Sequence, residues 1–355
     1  MDKVFYIFKT TMSAALLVAM AAQSAFAIDI VTRRSDNTQL RGTIIRMDPS
    51  EIVLKRTNGE EISISVANLK EVRFDKEPSG INAARINERS GALDTALTRF
   101  RKEQSDYTGG DKRLKTDLEF LIARVVGKQA LTDPSKVDAA NESLKSFRTA
   151  NKSSFRYLEA TLLQASIHAL KGETDAGKLL LTEVQASPVK GFQLQAGVDL
   201  GRLLLVAGDA AGALQSFEDV IQKSQGDASA TGAMSMYNGL LGRAMCLKQQ
   251  NSVEDSIKTL DEVIKKAPPT ETRTLAEAWV RKGDCLRQKN QGKAALMAYL
   301  HVDVLYSSEP AQHAEALLRL SQLWGPGGHQ DRAVDASTRL AELYPNSQWA
   351  KQSGG

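Results

Sequence analysis

A mainly α chain, an α-solenoid of helical hairpins behind a small antiparallel β-barrel or sheet, is the fold class predicted by this 355-residue sequence. Three observations carry it. From Asp29 to Phe74 the apolar period is close to two, the period of strands. After "KEPSG" the period becomes that of helices and stays so to the end. Within the helical part, one set of small and bulky residues returns several times in the same register.

The first segment, residues 1–27, has Lys3 and Lys9 ahead of an apolar run from Met12 to Ala22 and ends in Ala25-Phe26-Ala27. A basic start, a short apolar stretch and small residues at its end read as a secretory leader cleaved near Ala27. The run is shorter than the roughly 20 residues a bilayer-spanning helix needs. The expectation is an exported, periplasmic or otherwise extracytoplasmic chain with no stable membrane anchor. The formal charge of the whole chain is +4. Losing two lysines and one aspartate with the leader leaves a net +3, too balanced to call for a polyanion. Together with export, this predicts no nucleic acid partner.

Residues 28–78 form the β unit. Ile62, Ile64 and Val66 alternate with Ser63 and Ser65, and "QLRGTIIRM", "EIVLKRT" and "KEVRF" have strand length, giving four or five short strands. Asn58-Gly59 supplies the positive φ angles of a tight hairpin turn, and Asp48-Pro49 marks another. Gly42 inside a strand marks a sharp bend. Nine basic and nine acidic side chains between Asp29 and Glu77 make the unit neutral, which argues against phosphate binding. In length and strand rhythm it resembles the small SH3-like or Sm-like barrels. A core under 50 residues is marginal alone, so the unit is expected to be an interaction or docking module that leans on the helical part of the chain.

Pro78 and Gly80 mark the boundary to a helical segment over residues 79–150. Ile81 to Gln104 reads as one amphipathic helix ended by "DYTGGD", and two more helices come after it, with Pro134 near the start of the second. Residues 151–355 hold the repeats. Trp279, Gly283, Leu286, Ala295 and Tyr299 fall at intervals that recur upstream in Leu200, Gly201, Leu204, Ala213 and Phe217, and downstream in Leu320, Ser321, Trp324, Ala333 and Pro345. The physical reason is close helix approach: Gly and Ala leave room, and the large residues fill the gap between hairpins. An earlier copy has Ala165 and Gly177 in the small positions. From Gly177 the small residue returns at Ala213, Ser256, Ala295 and Ala333, in steps of 36, 43, 39 and 38. Ala123 and Ala140 are the small residues of a further copy.

These residues resemble the tetratricopeptide repeat, which places an aromatic, a Gly, an Ala, an aromatic and a Pro over about 34 residues. The resemblance extends to exported bacterial members, in which uneven copies are common. It implies a curved solenoid whose concave face, lined by the first helix of each pair, holds a peptide or protein segment. Carrying that geometry over places Arg202, Leu205, Met245, Lys248, Gln249, Asp284, Arg287 and Gln288 on the groove. Members that clamp a carboxy-terminal carboxylate do so with Lys and Asn side chains. The matching places here hold Val198, Arg202, Leu241 and Met245, so that mode is not expected.

No constellation for catalysis, cofactor or metal emerges. Cys246 and Cys285 precede the same landmark in adjacent copies, on the order of 10 Å apart, whereas a disulfide needs Cα atoms within about 7 Å. His168, His301, His313 and His329 form no metal-ligand spacing. "GPGGH" at 325–329 lacks the Lys and Ser/Thr of a phosphate loop. A basic cluster of Arg99, Arg101, Lys102, Lys112, Arg113 and Lys115 flanks Gly109-Gly110. Two functions are consistent with these features: a non-enzymatic scaffold or adaptor in cell-envelope assembly or maintenance that binds a polypeptide on the concave face, or a protein that binds an envelope polymer, peptidoglycan or acidic polysaccharide, through the β unit or the basic cluster.

Overall fold

The computed structural model describes residues 28–353, so the leader reading on residues 1–27 lies outside the described residues. The β unit is a five-stranded antiparallel sheet of β1 (Asp29–Arg33), β2 (Gln39–Met47), β3 (Glu51–Lys55), β4 (Glu61–Ser65) and β5 (Leu69–Arg73), in the order β4-β3-β2-β1-β5. Gly42 sits where β2 leaves β1 and joins β3: Asp29 pairs with Gly42 on one side and Thr43 with Lys55 on the other. A Cβ at Gly42 would lie 2.3 Å from the Lys55 carbonyl oxygen, so only glycine permits this close crossing. The turn after β3 differs from the two-residue form expected. Gly59 has φ +88° while Asn58 is not in the left-handed region. The loop instead closes with Gly59 N donating to Arg56 O at 2.9 Å and Arg56 N to Glu60 O at 2.8 Å. That is a longer loop in which one glycine supplies the reversal.

Buried Asp29 ties the sheet together. Its carboxylate accepts from Ile44 N at 2.9 Å and Asp75 N at 3.0 Å, and pairs with Arg113 at 3.0 Å. Arg113 opens the third helix, so one carboxylate joins β2 and the segment after β5 to the helical part.

Seven hairpins come next among the described residues: α1 (Ser79–Arg89) with α2 (Leu93–Asp106), α3 (Lys112–Ala130) with α4 (Val137–Ala150), α5 (Tyr157–Leu170) with α6 (Thr174–Gln185), α7 (Lys190–Val206) with α8 (Ala210–Ser224), α9 (Ala230–Gln249) with α10 (Val253–Lys266), α11 (Thr272–Gln288) with α12 (Gly292–Leu305), and α13 (Pro310–Trp324) with α14 (Gln330–Leu343). A short helix, α15 (Gln348–Ser353), packs on α13 and α14 after Pro345. The single helix expected from Ile81 to Gln104 is two. Gly91, at φ +81°, reverses the chain after Arg89, which is the left-handed stop that ends many helices. The long step to Ser256 reflects α9, which runs 20 residues.

Gly201 and Gly283 serve close approach. Their absent side chains admit the rings of Phe217 and Tyr299, which would lie 2.6 Å from a Cβ. Ala213 and Ala295 are fully buried opposite them, and Ala333 nearly so. Trp279 lies between a stacked His301 ring, centroids 4.0 Å apart, and Lys282. Cys246 and Cys285 are buried free thiols, and burial raises both, Cys246 to about 11.

Successive first helices pack on one another, α3 on α5, α5 on α7, α7 on α9, α9 on α11 and α11 on α13, whereas successive second helices are not closely paired. A stack tighter along one side curves toward it, which puts the first helices on the inside. The β unit sits at the starts of two of them: Arg113 at the start of α3 meets Asp29, and Ala67 abuts Gly191 in α7. One apolar core runs from Val31 through the helices to Leu203. A buried charge network of Glu77, Arg85, Asp117 and Arg156 reinforces it; Arg156 Nε donates to Asp117 at 2.8 Å.

At the far end, Asp303 on α12 meets His313 Nε2 of α13 at 2.8 Å and Arg339 of α14 at 2.6 Å. Burial works to raise its carboxyl, but His313 and Arg339 outweigh it and hold it at about 2. A depressed carboxyl adds stability above its unfolded value and loses it as pH falls through the folded one. The last two hairpins are expected to lose about 2 kcal/mol on acidification from about pH 5 to pH 2. Thermal melts across that range should show the loss, and Asp303→Asn should flatten it.

Candidate protein-binding face

The inner face of α7, α9, α11 and α13 carries polar side chains that link each first helix to the next. Arg202 donates to Asn238 Oδ1 at 3.1 Å, and Gln312 to Glu277 at 2.9 Å. Arg281 forks onto Glu315, Nη1 to Oε1 at 3.1 Å, and Arg287 reaches Gln322 Oε1 at 3.2 Å. Burial raises Glu315, against the pull of Arg281. For Glu277 the same burial is outweighed by Arg281, Gln312 and Arg202, and the carboxyl is lowered. Arg202 stands two hairpins away from Glu277, and its pull is the weakest of these.

Between them α9 presents Asn238 and Met245. Gly242 is buried, and a side chain on it would run into the Phe217 ring of α8, 2.3 Å from a Cβ, so the glycine serves packing between α8 and α9. Asp199 lies beside Arg202 at 3.7 Å, and its carboxyl is raised by burial in spite of Gln195 and Arg202.

Of the residues expected on the groove, Arg202 is exposed, and Leu205, Met245, Lys248 and Arg287 are half-buried. Gln249 is exposed at the end of α9. Gln288 donates to Asn251 Oδ1 in the turn after α9, at 3.1 Å, which turns it to the rim. Asp284 is the correction. It is 6% exposed and points inward, accepting from the Tyr299 hydroxyl at 2.7 Å and from Arg281 at 2.9 Å. The cause is Tyr299 itself: a fully buried phenol needs a partner, and Asp284 is the acceptor that the repeat spacing brings opposite it. Burial and Asp284 together push the phenol well above its ordinary range. Two of the places used by carboxylate-clamping members, Val198 and Leu241, are buried core residues here.

Sequence reasoning missed Asn238, Glu277, Arg281, Gln312, Glu315, Arg319 and Gln322. The available signal was their separation along the chain: the links Arg202–Asn238, Glu277–Gln312, Arg281–Glu315 and Arg287–Gln322 span 36, 35, 34 and 35 residues, one repeat each. In the basic cluster, Arg113 turns to Asp29 and Asp111, Lys102 pairs with Asp106, and Lys115 lies over the Tyr107 ring. Among the described residues no group of His, Cys, Asp and Glu is placed to hold a metal, and no helix is long and apolar enough to cross a membrane.

Residues 315–347, from α13 to the turn after α14, match the family model for the tetratricopeptide repeat. A tetratricopeptide repeat protein from Parabacteroides merdae superposes with TM-score 0.55 at 14% identity, covering 78% of this chain and 98% of that one. The chain folds as a tetratricopeptide-repeat solenoid. Two further solved structures share this solenoid at 12% identity and TM-score 0.52. One is a Rap protein complexed with Competence and Sporulation Factor, with 77% of each chain covered. The other is the apo form of the quorum sensor NprR from B. thuringiensis, with 78% and 79% covered. A comparison with curated proteins gives no match. In the tetratricopeptide-repeat frame, the inner face of α7 to α13 is the concave face.

Proposed function

We propose that the protein is an exported, non-enzymatic scaffold that holds a polypeptide segment on the concave face of its solenoid, in the assembly or maintenance of the cell envelope. The observation that carries this reading is the run of polar links along the inner face, Arg202–Asn238, Glu277–Gln312, Arg281–Glu315 and Arg287–Gln322, with half-buried Met245 of α9 among them. Such a face suits an extended segment, whose backbone can hydrogen-bond to the polar side chains while its own side chains rest against Met245. The Rap structure with its bound factor is a solenoid of comparable span, which supports the reading by analogy of fold.

The test is site-specific photo-crosslinking of the exported protein in cells. A crosslinker at Met245 is expected to give a discrete polypeptide adduct, and one at Leu179, which is 70% exposed on a second helix, is expected to give none. Met245→Glu combined with Arg202→Glu should reduce capture about tenfold. Capture unchanged by that pair would remove the groove from the account.

The polymer-binding reading keeps one observation in its favour: Arg99, Arg101 and Lys112 have no carboxylate within ion-pair distance among the described residues. Retention on peptidoglycan or an acidic polysaccharide that falls steeply with added salt, and is lost on neutralising these three, would favour it.

A further inference from the structure

On the concave face, Arg202, Arg281 and Arg319 each have a carboxylate within ion-pair distance, and Arg287 has none among the described residues. Its one hydrogen bond goes to Gln322 Oε1 at 3.2 Å, and the same oxygen receives Arg319 Nη1 at 3.3 Å. One neutral carbonyl therefore serves two guanidinium groups. Arg319 Nε is buried without any hydrogen bond. Its nearest acid, Asp284, is 3.6 Å away and already bonded to Tyr299 and Arg281. Gln322 is exposed, so the junction of the two arginines opens to the groove. The guanidinium of Arg319 is backed by the Trp349 ring, 5.6 Å from its centroid, which fixes its plane.

Two forks converging on one weak acceptor are better satisfied by an anion. Charge-assisted bonds to a carboxylate are about twice as strong as those to a neutral carbonyl. The local balance selects the charge of that anion. Arg202, Arg281, Arg287 and Arg319 are matched in number by Asp199, Glu277, Asp284 and Glu315, but the carboxylates lie beside Arg202, Arg281 and Arg319 and leave Arg287 without one. A single carboxylate would meet Arg287, whereas a dianion such as phosphate would bring its second charge against Asp284 and Glu315.

We propose that Arg287, Arg319 and Gln322 form a subsite for a single carboxylate of the bound polypeptide, from an Asp or Glu side chain or from a free C-terminus. The proposal rests on the concave-face reading and adds the chemistry of the partner at the α11–α13 end of the groove. It uses none of the four places expected from carboxylate-clamping members. In the bound state the carboxylate takes the place of Gln322 Oε1 between Arg287 Nη1 and Arg319 Nη1.

The experiment tracks the arginine Nε–H signals of the exported protein by NMR at constant ionic strength. The probes are acetyl-Ala-Glu-Ala-amide, acetyl-Ala-Gln-Ala-amide, acetyl-Ala-Gln-Ala with a free C-terminus, and inorganic phosphate. The Arg287 and Arg319 signals are expected to shift saturably with at least one of the two acids, and at least tenfold more weakly with the neutral amide and with phosphate. Which acid acts tells the side chain from the C-terminus.

Gln322→Glu supplies the carboxylate internally and should abolish the response while melting no lower than the parent; Arg287→Gln should weaken it about tenfold. Equal shifts with the neutral amide, a stronger response to phosphate, no response to either acid, or an acid response that survives in both variants would overturn the subsite. The groove reading fails separately, on crosslinking at Met245 that ignores the Met245 and Arg202 substitutions.

Discussion

Gly283→Val is expected to destabilise the C-terminal hairpins by about 3–5 kcal/mol. A Cβ at this position would lie 2.6 Å from Cε1 and Cζ of Tyr299, a ring with no accessible surface in the middle of α12. The ring cannot swing aside without taking its hydroxyl off Asp284. Overpacking alone costs about 1–3 kcal/mol, and leaving a buried acid without its donor adds about 1–3. Because repeats couple mainly to their neighbours, the urea transition should split, with the Trp279 fluorescence change moving to lower denaturant and the N-terminal part unchanged. Gly283→Val with Tyr299→Leu should recover part of the loss by restoring room for the branched side chain. A single transition within about 1 kcal/mol of the parent would contradict the packing role given to Gly283.

Asp29→Ala is expected to cost a similar amount, about 3–5 kcal/mol, at the opposite end. Its carboxylate has no accessible surface and serves Ile44 N, Asp75 N and the Arg113 guanidinium together. Removing it strands two backbone donors and half of the partnership of Arg113, which retains Asp111 at 2.7 Å. Hydrogen exchange at the Ile44 and Asp75 amides should rise steeply, while amides of α9 to α14 keep their protection. Asp29→Asn retains an acceptor and should cost about half as much. Unchanged exchange at both amides would show that the sheet is held in place by other contacts.

The repeat period made the helical architecture legible, because the need for small residues at close helix crossings leaves Gly201, Gly283, Ala213 and Ala295 at readable intervals. The break at Gly91 was missed since apolar positions on either side of it stay nearly in phase. The Ser90-Gly91 dipeptide was its one local sign. For the face, spacing located the helices but not the directions of their side chains. Asp284 has the position of a groove residue, and the demand of a buried phenol turns it inward. Arg281, Glu315 and Arg319 were invisible for a related reason: charges on a helix usually mean solvent, and only the 34-residue link from Arg281 to Glu315 shows that they bridge neighbours.

The seating of the sheet across the starts of α3 and α7 also has a mechanical meaning. Those first turns are braced by the sheet, whereas beyond α7 each coil leans only on its neighbours, through the apolar packing between hairpins and the polar links of the inner face. The described residues thus form an elastic ribbon clamped at the sheet. A pull on α13 and α14 would uncoil the turns farthest from the sheet first, like a spring on a fixed mount.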